Sequence, residues 1–142
     1  MSARTQISPM ITVKKAAQVI AANSTVAFDF GTPDDIDMRT LPVGSRIIVH
    51  LTAVRAAGTT STLQLNVTDA ADSSGSIGTP AAASVTSSNA VIAAGDAGLS
   101  TRTVSLKTKT DRPWLQLTLT HAGGGTDSFN AVCTVFAIPA VV

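Results

Sequence analysis

The 142-residue chain contains no glutamate and no tyrosine, one cysteine, one tryptophan and four phenylalanines. With no Glu and only four Lys, it lacks the residues that usually coat exposed helix faces, so surface helices are poorly supplied. The single cysteine, Cys133, excludes an internal disulfide and a cysteine-built zinc site. Stability must therefore come from packing. Charged residues are 13% of the chain and the net charge is +1, which gives no basic field for a phosphate backbone. Nucleic acid is not an expected partner. No apolar run approaches the roughly 20 residues of a membrane span, and Met1-Ser2-Ala3-Arg4-Thr5-Gln6 does not lead into the apolar stretch of a secretion signal. The expectation is a soluble product of a cytoplasm with no membrane partner.

What the chain has in quantity is β-branched: Val, Ile and Thr total 43 residues, the stiff set that suits pleated strands. The length fits one domain with a sizeable core. Residues 1–22 read as a partly extended N-terminal arm, and 23–142 as a single β-sandwich domain. From Ser24, the residues Val26, Phe28 and Phe30 alternate with Thr25, Ala27 and Asp29 until Gly31 and Pro33 stop the pattern. Ile47, Val49 and Leu51 share one face of the next strand, and after Ala56-Ala57-Gly58-Thr59-Thr60 the residues Leu63, Leu65 and Val67 alternate in another. This pair reads as a β-hairpin. Late in the chain Val104 and Leu106, then Leu115, Leu117 and Leu119, then a strand over 128–138 holding Val135, read as a three-strand meander. All of these apolar residues are expected in the core. Between the halves, 69–100 is an Ala/Ser/Gly-rich excursion, expected to carry a strand near 88–93 and to cross between sheets. The fold class is all-β, a jelly-roll-like antiparallel β-sandwich of about eight strands.

No motif points to chemistry. Asp29-Phe30-Gly31 matches a kinase triplet, but the phosphate loop, strand lysine and catalytic loop of that fold are absent. Asp34, Asp35 and Asp37 do not match a calcium loop ending in Glu and read as a solvated turn. His50 lies in a strand and His121 at the head of the Gly123-Gly124-Gly125 turn, with no neighbouring ligands. That turn lacks the Lys and Ser/Thr of a phosphate cradle. Asn23-Ser24-Thr25 and Asn66-Val67-Thr68 match the glycosylation sequon, idle without secretion, and Cys133 reads as a buried, inert thiol. Few aromatics leave no platform for sugars or single strands. No catalytic, metal or cofactor residue is nominated, and the expectation is a protein that is not an enzyme.

The order of segments carries a resemblance. Ala16-Ala17-Gln18-Val19-Ile20-Ala21-Ala22-Asn23-Ser24-Thr25 leads to a strand closed by Asp29-Phe30-Gly31, and Leu41-Pro42-Val43-Gly44 enters the 47–54 strand. Gly58-Thr59-Thr60-Ser61-Thr62-Leu63-Gln64-Leu65 follows, then Ala93-Ala94-Gly95 and Arg112-Pro113-Trp114-Leu115-Gln116-Leu117, the glycine turn and the closing strand. From about Thr12 to Ile138 the chain resembles the capsid cement, or decoration, proteins of tailed bacteriophages, in particular the Bordetella phage type. It departs from that pattern in its longer N-terminal extension, Met1 to Met10, and its Ala/Ser-rich middle. The resemblance implies a jelly-roll-like domain on the outside of a virion shell, bound to the major capsid protein and to itself as a homodimer or homotrimer. The alternative is a phage tail, baseplate or receptor-binding β-sandwich, for which an aromatic or acidic ligand cleft would be needed.

Overall fold

The computed structural model describes residues 10–21, 24–28, 36–82, 89–96, 98–123 and 126–141. Four long strands form the first sheet. They are β1 (Ile11–Ala21), β4 (Arg46–Ala57), β10 (Leu99–Lys107) and β12 (Ser128–Ile138), in the order β1-β12-β4-β10. The second sheet is built on β5 (Thr62–Ala70) and β11 (Trp114–Ala122), with β2 (Ser24–Ala27) and β3 (Ile36–Asp37) on the outer side of β11. Two short strands, β8 (Ala81–Ala82) and β9 (Asn89–Ile92), pair with β5. A small hairpin of β6 (Asp72–Ser73) and β7 (Ser76–Ile77) stands apart.

The eight principal strands therefore run β1-β12-β4-β10 against β2-β11-β5-β9, with antiparallel pairing throughout the described residues. Apart from β5 and β9, each strand is followed by one in the opposite sheet. This is the jelly-roll connectivity, and it confirms the fold class expected from composition and alternation.

Two local readings are corrected by it. The strands around Leu51 and Leu65 are not a hairpin: β4 pairs with β12 and β10, while β5 pairs with β11. Nor are the last three long strands a meander, because β10 and β12 lie in the first sheet and β11 in the second. A two-residue period fixes which side of a strand is buried, whereas a short loop can either turn back in plane or step across the roughly 10 Å between packed sheets. Residues 11–21, read as part of an arm, form the edge strand β1 in register with β12. The excursion at 69–100 holds β6 to β9, including the strand expected near 88–93, and the chain crosses sheets between Ile92 and Leu99.

The core fills the space between the sheets. Ile47, Val49 and Leu51 from β4, Leu63, Leu65 and Val67 from β5, and Leu115, Leu117 and Leu119 from β11 are all buried, with Phe28, Val104, Leu106 and Val135. Phe30 and the side chain of Val26 lie outside the described residues. Ile20, Ile36, Ile92 and Phe129 are buried with them. Cross-strand pairs such as Leu65 with Leu119 and Val67 with Leu117 set the register, since a one-residue slip would turn these side chains outward. Leu65→Ala or Leu117→Ala is expected to lower the unfolding free energy by roughly 2–5 kcal/mol in urea titrations. A loss below about 1 kcal/mol would place these leucines outside a packed interior.

Candidate interaction surface and its support

At one end of the sandwich a single arginine gathers three crossings between sheets. Arg55 stands near the end of β4 with its side chain buried and its guanidinium 4.9 Å over the Phe129 ring. It donates to the Asp127 carboxylate at 2.8 Å, to the Ser61 carbonyl at 2.8 Å, and to the Ala93 and Asp96 carbonyls at 3.0 and 2.9 Å. Asp127 also accepts the backbone N–H groups of Thr60 and Ser61 at 2.9 and 2.7 Å, and the Ser61 hydroxyl. The Ser61 hydrogen bonds lead, with those of Thr60 and the Arg55 charge, in holding the Asp127 carboxyl below its ordinary range. Gly58 turns the chain beside it at φ +78°, and a Cβ there would fall 1.6 Å from Asp127 Oδ1. Only glycine fits, on both counts. Gly123 (φ +122°) is equally constrained, its added Cβ lying 2.6 Å from the Ser61 backbone.

The opposite end carries two further clusters. Arg39 clasps Asp37 at 2.7 and 2.9 Å, reaches Asp72 at 2.9 Å and lies 4.6 Å over the Trp114 ring. Trp114 Nε1 donates to Asp72 at 2.8 Å. The Arg39 hydrogen bond lowers the Asp37 pKa, and the Trp114 hydrogen bond lowers that of Asp72. Buried Asp69 accepts from Arg112 and from Lys109 at 3.3 Å. These carboxylates are structural partners of cations. Asp37 is one of the three aspartates read as a solvated turn; Asp34 and Asp35 lie outside the described residues, as do Asp29-Phe30-Gly31.

The two histidines and the cysteine do not converge. His50 faces outward from β4, where Nδ1 lies 3.0 Å from the Thr103 hydroxyl and Nε2 3.4 Å from that of Thr52. His121 is corrected from turn head to strand: it pairs with Leu63 and Ser24 inside β11, is buried, and meets the Phe129 ring edge-on at 5.2 Å. The strand runs on because its neighbours on both sides still offer ladder partners, and the turn begins only at Gly123. Cys133 is buried on β12, and burial pushes its thiol up to about 12. Among the described residues no three His, Cys or Asp side chains gather as a metal site, and no helix is long and apolar enough to cross a membrane.

The surface with a distinct character is the outer face of the first sheet. Its rows cross all four strands: Val19, Asn130, Val54 and Leu99, then Ala17, Val132, Thr52 and Thr101, then Lys15, Thr134, His50 and Thr103. Val19 is 66% exposed, Leu99 70% and Val132 40%. With Val54 and Asn130 they line an open groove of about 320 Å³. Phe136 beside Ile48 continues the apolar strip, and Arg46 and Lys107 close it. The outer face of the second sheet is different, an array of hydroxyls and amides in which Thr120 meets Thr25 at 2.9 Å and Asn66, from the second sequon, at 3.0 Å.

The sequence reading nominated none of Arg55, Asp127 or Asp69. A lone arginine ending an apolar strand was the available signal for the first, but its counterion lies 72 residues away.

No protein-family model matches the chain, and no curated protein matches it in sequence. Among solved structures, the VP2 subviral particle of infectious bursal disease virus aligns over 92% of this chain and 32% of its own, at TM-score 0.51 and 13% identity. The Gx strain of that virus aligns over 94% and 37%, at TM-score 0.45 and 13% identity. A capsid chain of cyanophage Pam1 aligns over 89% and 87%, at TM-score 0.37 and 23% identity. The chain thus spans about a third of the length of the bursal virus protein, and the likeness is one of fold.

The Arg55 clamp has a pH signature. Because the folded-state pKa of Asp127 is depressed, its stabilisation is present above the ordinary carboxylate value and is lost as pH falls through the folded value, below about pH 4. Asp127→Asn is expected to lower the melting temperature at pH 7 and to flatten the fall in stability below pH 4, measured by thermal melts across pH. An unchanged acid limb would assign that fall to other carboxylates. Gly58→Ala is expected to destabilise the fold at every pH, and a melting temperature equal to the wild type would overturn this account of the turn.

Proposed function

We propose that this chain is a non-enzymatic cement, or decoration, protein of a tailed bacteriophage of the Bordetella phage type, a virion component on the outer surface of the shell. In this reading it binds the assembled capsid, bridges neighbouring major capsid protein subunits, and acts as a homodimer or homotrimer without nucleic acid or membrane partners.

The observation that carries the reading is the fold. One jelly roll takes in every strand from β1 to β12 except the small β6/β7 hairpin, and the same architecture occurs in a protein of a virus particle. The segment order that resembles the cement proteins maps onto it: Leu41-Pro42-Val43-Gly44 enters β4, Gly58 to Leu65 crosses into β5, and Arg112-Pro113 enters β11. Asp37, Asp69 and Asp127 are each engaged by an arginine in a structural pair, which supports a reading in which the protein acts by surface packing.

The physics requires no chemistry. A ligand that binds the assembled shell and not its free subunits shifts the equilibrium away from disassembly by mass action. Symmetry repeats the contact over the particle, so each copy can bind weakly.

The test compares particles with and without the protein during heating. Depleted particles are expected to release their genome at lower temperature and to recover when purified protein is added back. Equal stability, together with failure to rebind, would reject the cement reading and favour a tail or receptor-binding module.

A further inference from the structure

Charge is sorted between the two sheets. The four strands of the first sheet carry six of the ten Lys and Arg residues (Lys14, Lys15, Arg46, Arg55, Arg102 and Lys107) and no Asp. The strands of the second sheet carry Asp37 and Asp69 and no Lys or Arg. A net charge of +1 conceals this asymmetry.

On the first sheet's outer face, Lys15 marks the β1 side, while Arg46 and Lys107 stand at the far end from Val19 and Leu99. The strip between them is aliphatic and hydroxylic. Such a face, with cations on its β1 edge and at one end and exposed Val19, Val132 and Leu99 toward the other end, combines an apolar contact with a requirement for opposite charge beside it.

We propose that this face is the docking surface of the protein and that its occupant is an acidic protein surface: an aliphatic patch, bordered by Asp or Glu side chains, on the shell subunit. The inference rests on the cement reading and names the surface and the partner chemistry. A second copy laid face to face is disfavoured, because neither copy's face supplies a carboxylate to pair with Lys15, Arg46 or Lys107 among the described residues. A nucleic acid is disfavoured because phosphate binding needs a continuous cationic track, whereas the centre of this face is Val132, Thr52 and Thr101.

The experiment uses particles lacking the protein and adds back full-length variants. One pair of variants removes the apolar contact, Val19→Ser with Leu99→Ser. A second reverses charge at exposed positions with no part in the core, Arg46→Glu with Lys107→Glu, so folding is not at stake. Thr118→Ala and Gln64→Ala on the second sheet are controls. Wild type and controls are expected to rebind, and both face variants to bind about tenfold or more weakly, the charge-reversed one losing the salt dependence of association.

Equal rebinding by all variants would overturn the face assignment and leave the cement reading standing. Failure of the wild type to rebind would reject the cement reading, and this inference with it. Free-chain dimers in sedimentation that disappear in the face variants would assign the face to a second copy. Duplex DNA retarded by wild type and not by Arg46→Glu with Lys107→Glu at physiological salt would assign it to nucleic acid. Either result would overturn the proposal.

Discussion

A jelly roll steps from one sheet to the other at almost every connection, so its ends collect backbone groups that no ladder satisfies. At one end of this sandwich that demand falls on Arg55. Its four hydrogen bonds reach the crossing after β4, the crossing after β9 and the approach to β12, and its flat face lies on Phe129. Asp127 completes the arrangement from the far side by accepting from Thr60 and Ser61. A buried guanidinium is tolerable only when its charge and donors are matched, and here three separate loops must hold position for that to be so. The geometry of the loops and the ion pair are thus mutually dependent. The glycines at 58 and 123 follow from it, since backbone and carboxylate approach too closely for any Cβ.

That clamp lies under the surface proposed for docking. Ala93 and Asp96, held by Arg55, belong to the loop that delivers Leu99 to the edge of the first sheet. Arg55 is paired with Phe129 on β12, next to Asn130, whose row contains Val19, Val54 and Leu99. The apolar row therefore sits on a rigid frame. Exposed aliphatic side chains on ordered strands lose little further freedom on binding, which is the condition under which a small apolar contact contributes most.

Which side of β4, β5, β10 and β11 is buried was legible residue by residue. Leu63, Leu65 and Val67, or Leu115, Leu117 and Leu119, declare an inward face by period alone, and the structure buries them all. Pairing was not legible, because alternation is local and pairing is not: the glycine-bearing sequences between β4 and β5 and between β11 and β12 are common in hairpins, yet the strands they join lie in different sheets. What decides the step is Arg55 meeting Asp127, a contact between distant segments. Of the second sheet's short strands, β9 was expected near 88–93 and is found at Asn89–Ile92, whereas β8, built from Ala-Ala, is too brief and too small to show a period. The candidate surface needed the pairing as well as the pattern. That the sequences of β1, β4, β10 and β12 contain no Asp is visible in the chain; that these four form one sheet is not.

The sorting of charge also bears on how such a surface could work at moderate salt. At physiological ionic strength a charge is felt over about 8 Å, so Lys15, Arg46 and Lys107 cannot draw the protein from a distance. They act in the last layer of solvent, where they discriminate between orientations. The amide and hydroxyl face of the second sheet has its groups engaged with one another, as Thr120 is with Thr25 and Asn66, and offers an approaching acidic surface no counter-charge. The first sheet offers both counter-charge and aliphatic area. Orientation is then set by the cations and affinity by the groove around Val132. A partner lacking either the carboxylates or the apolar patch satisfies only half of the contact. On a symmetric shell, where the same partner surface recurs at every equivalent position, that two-part requirement selects a site without any single strong interaction.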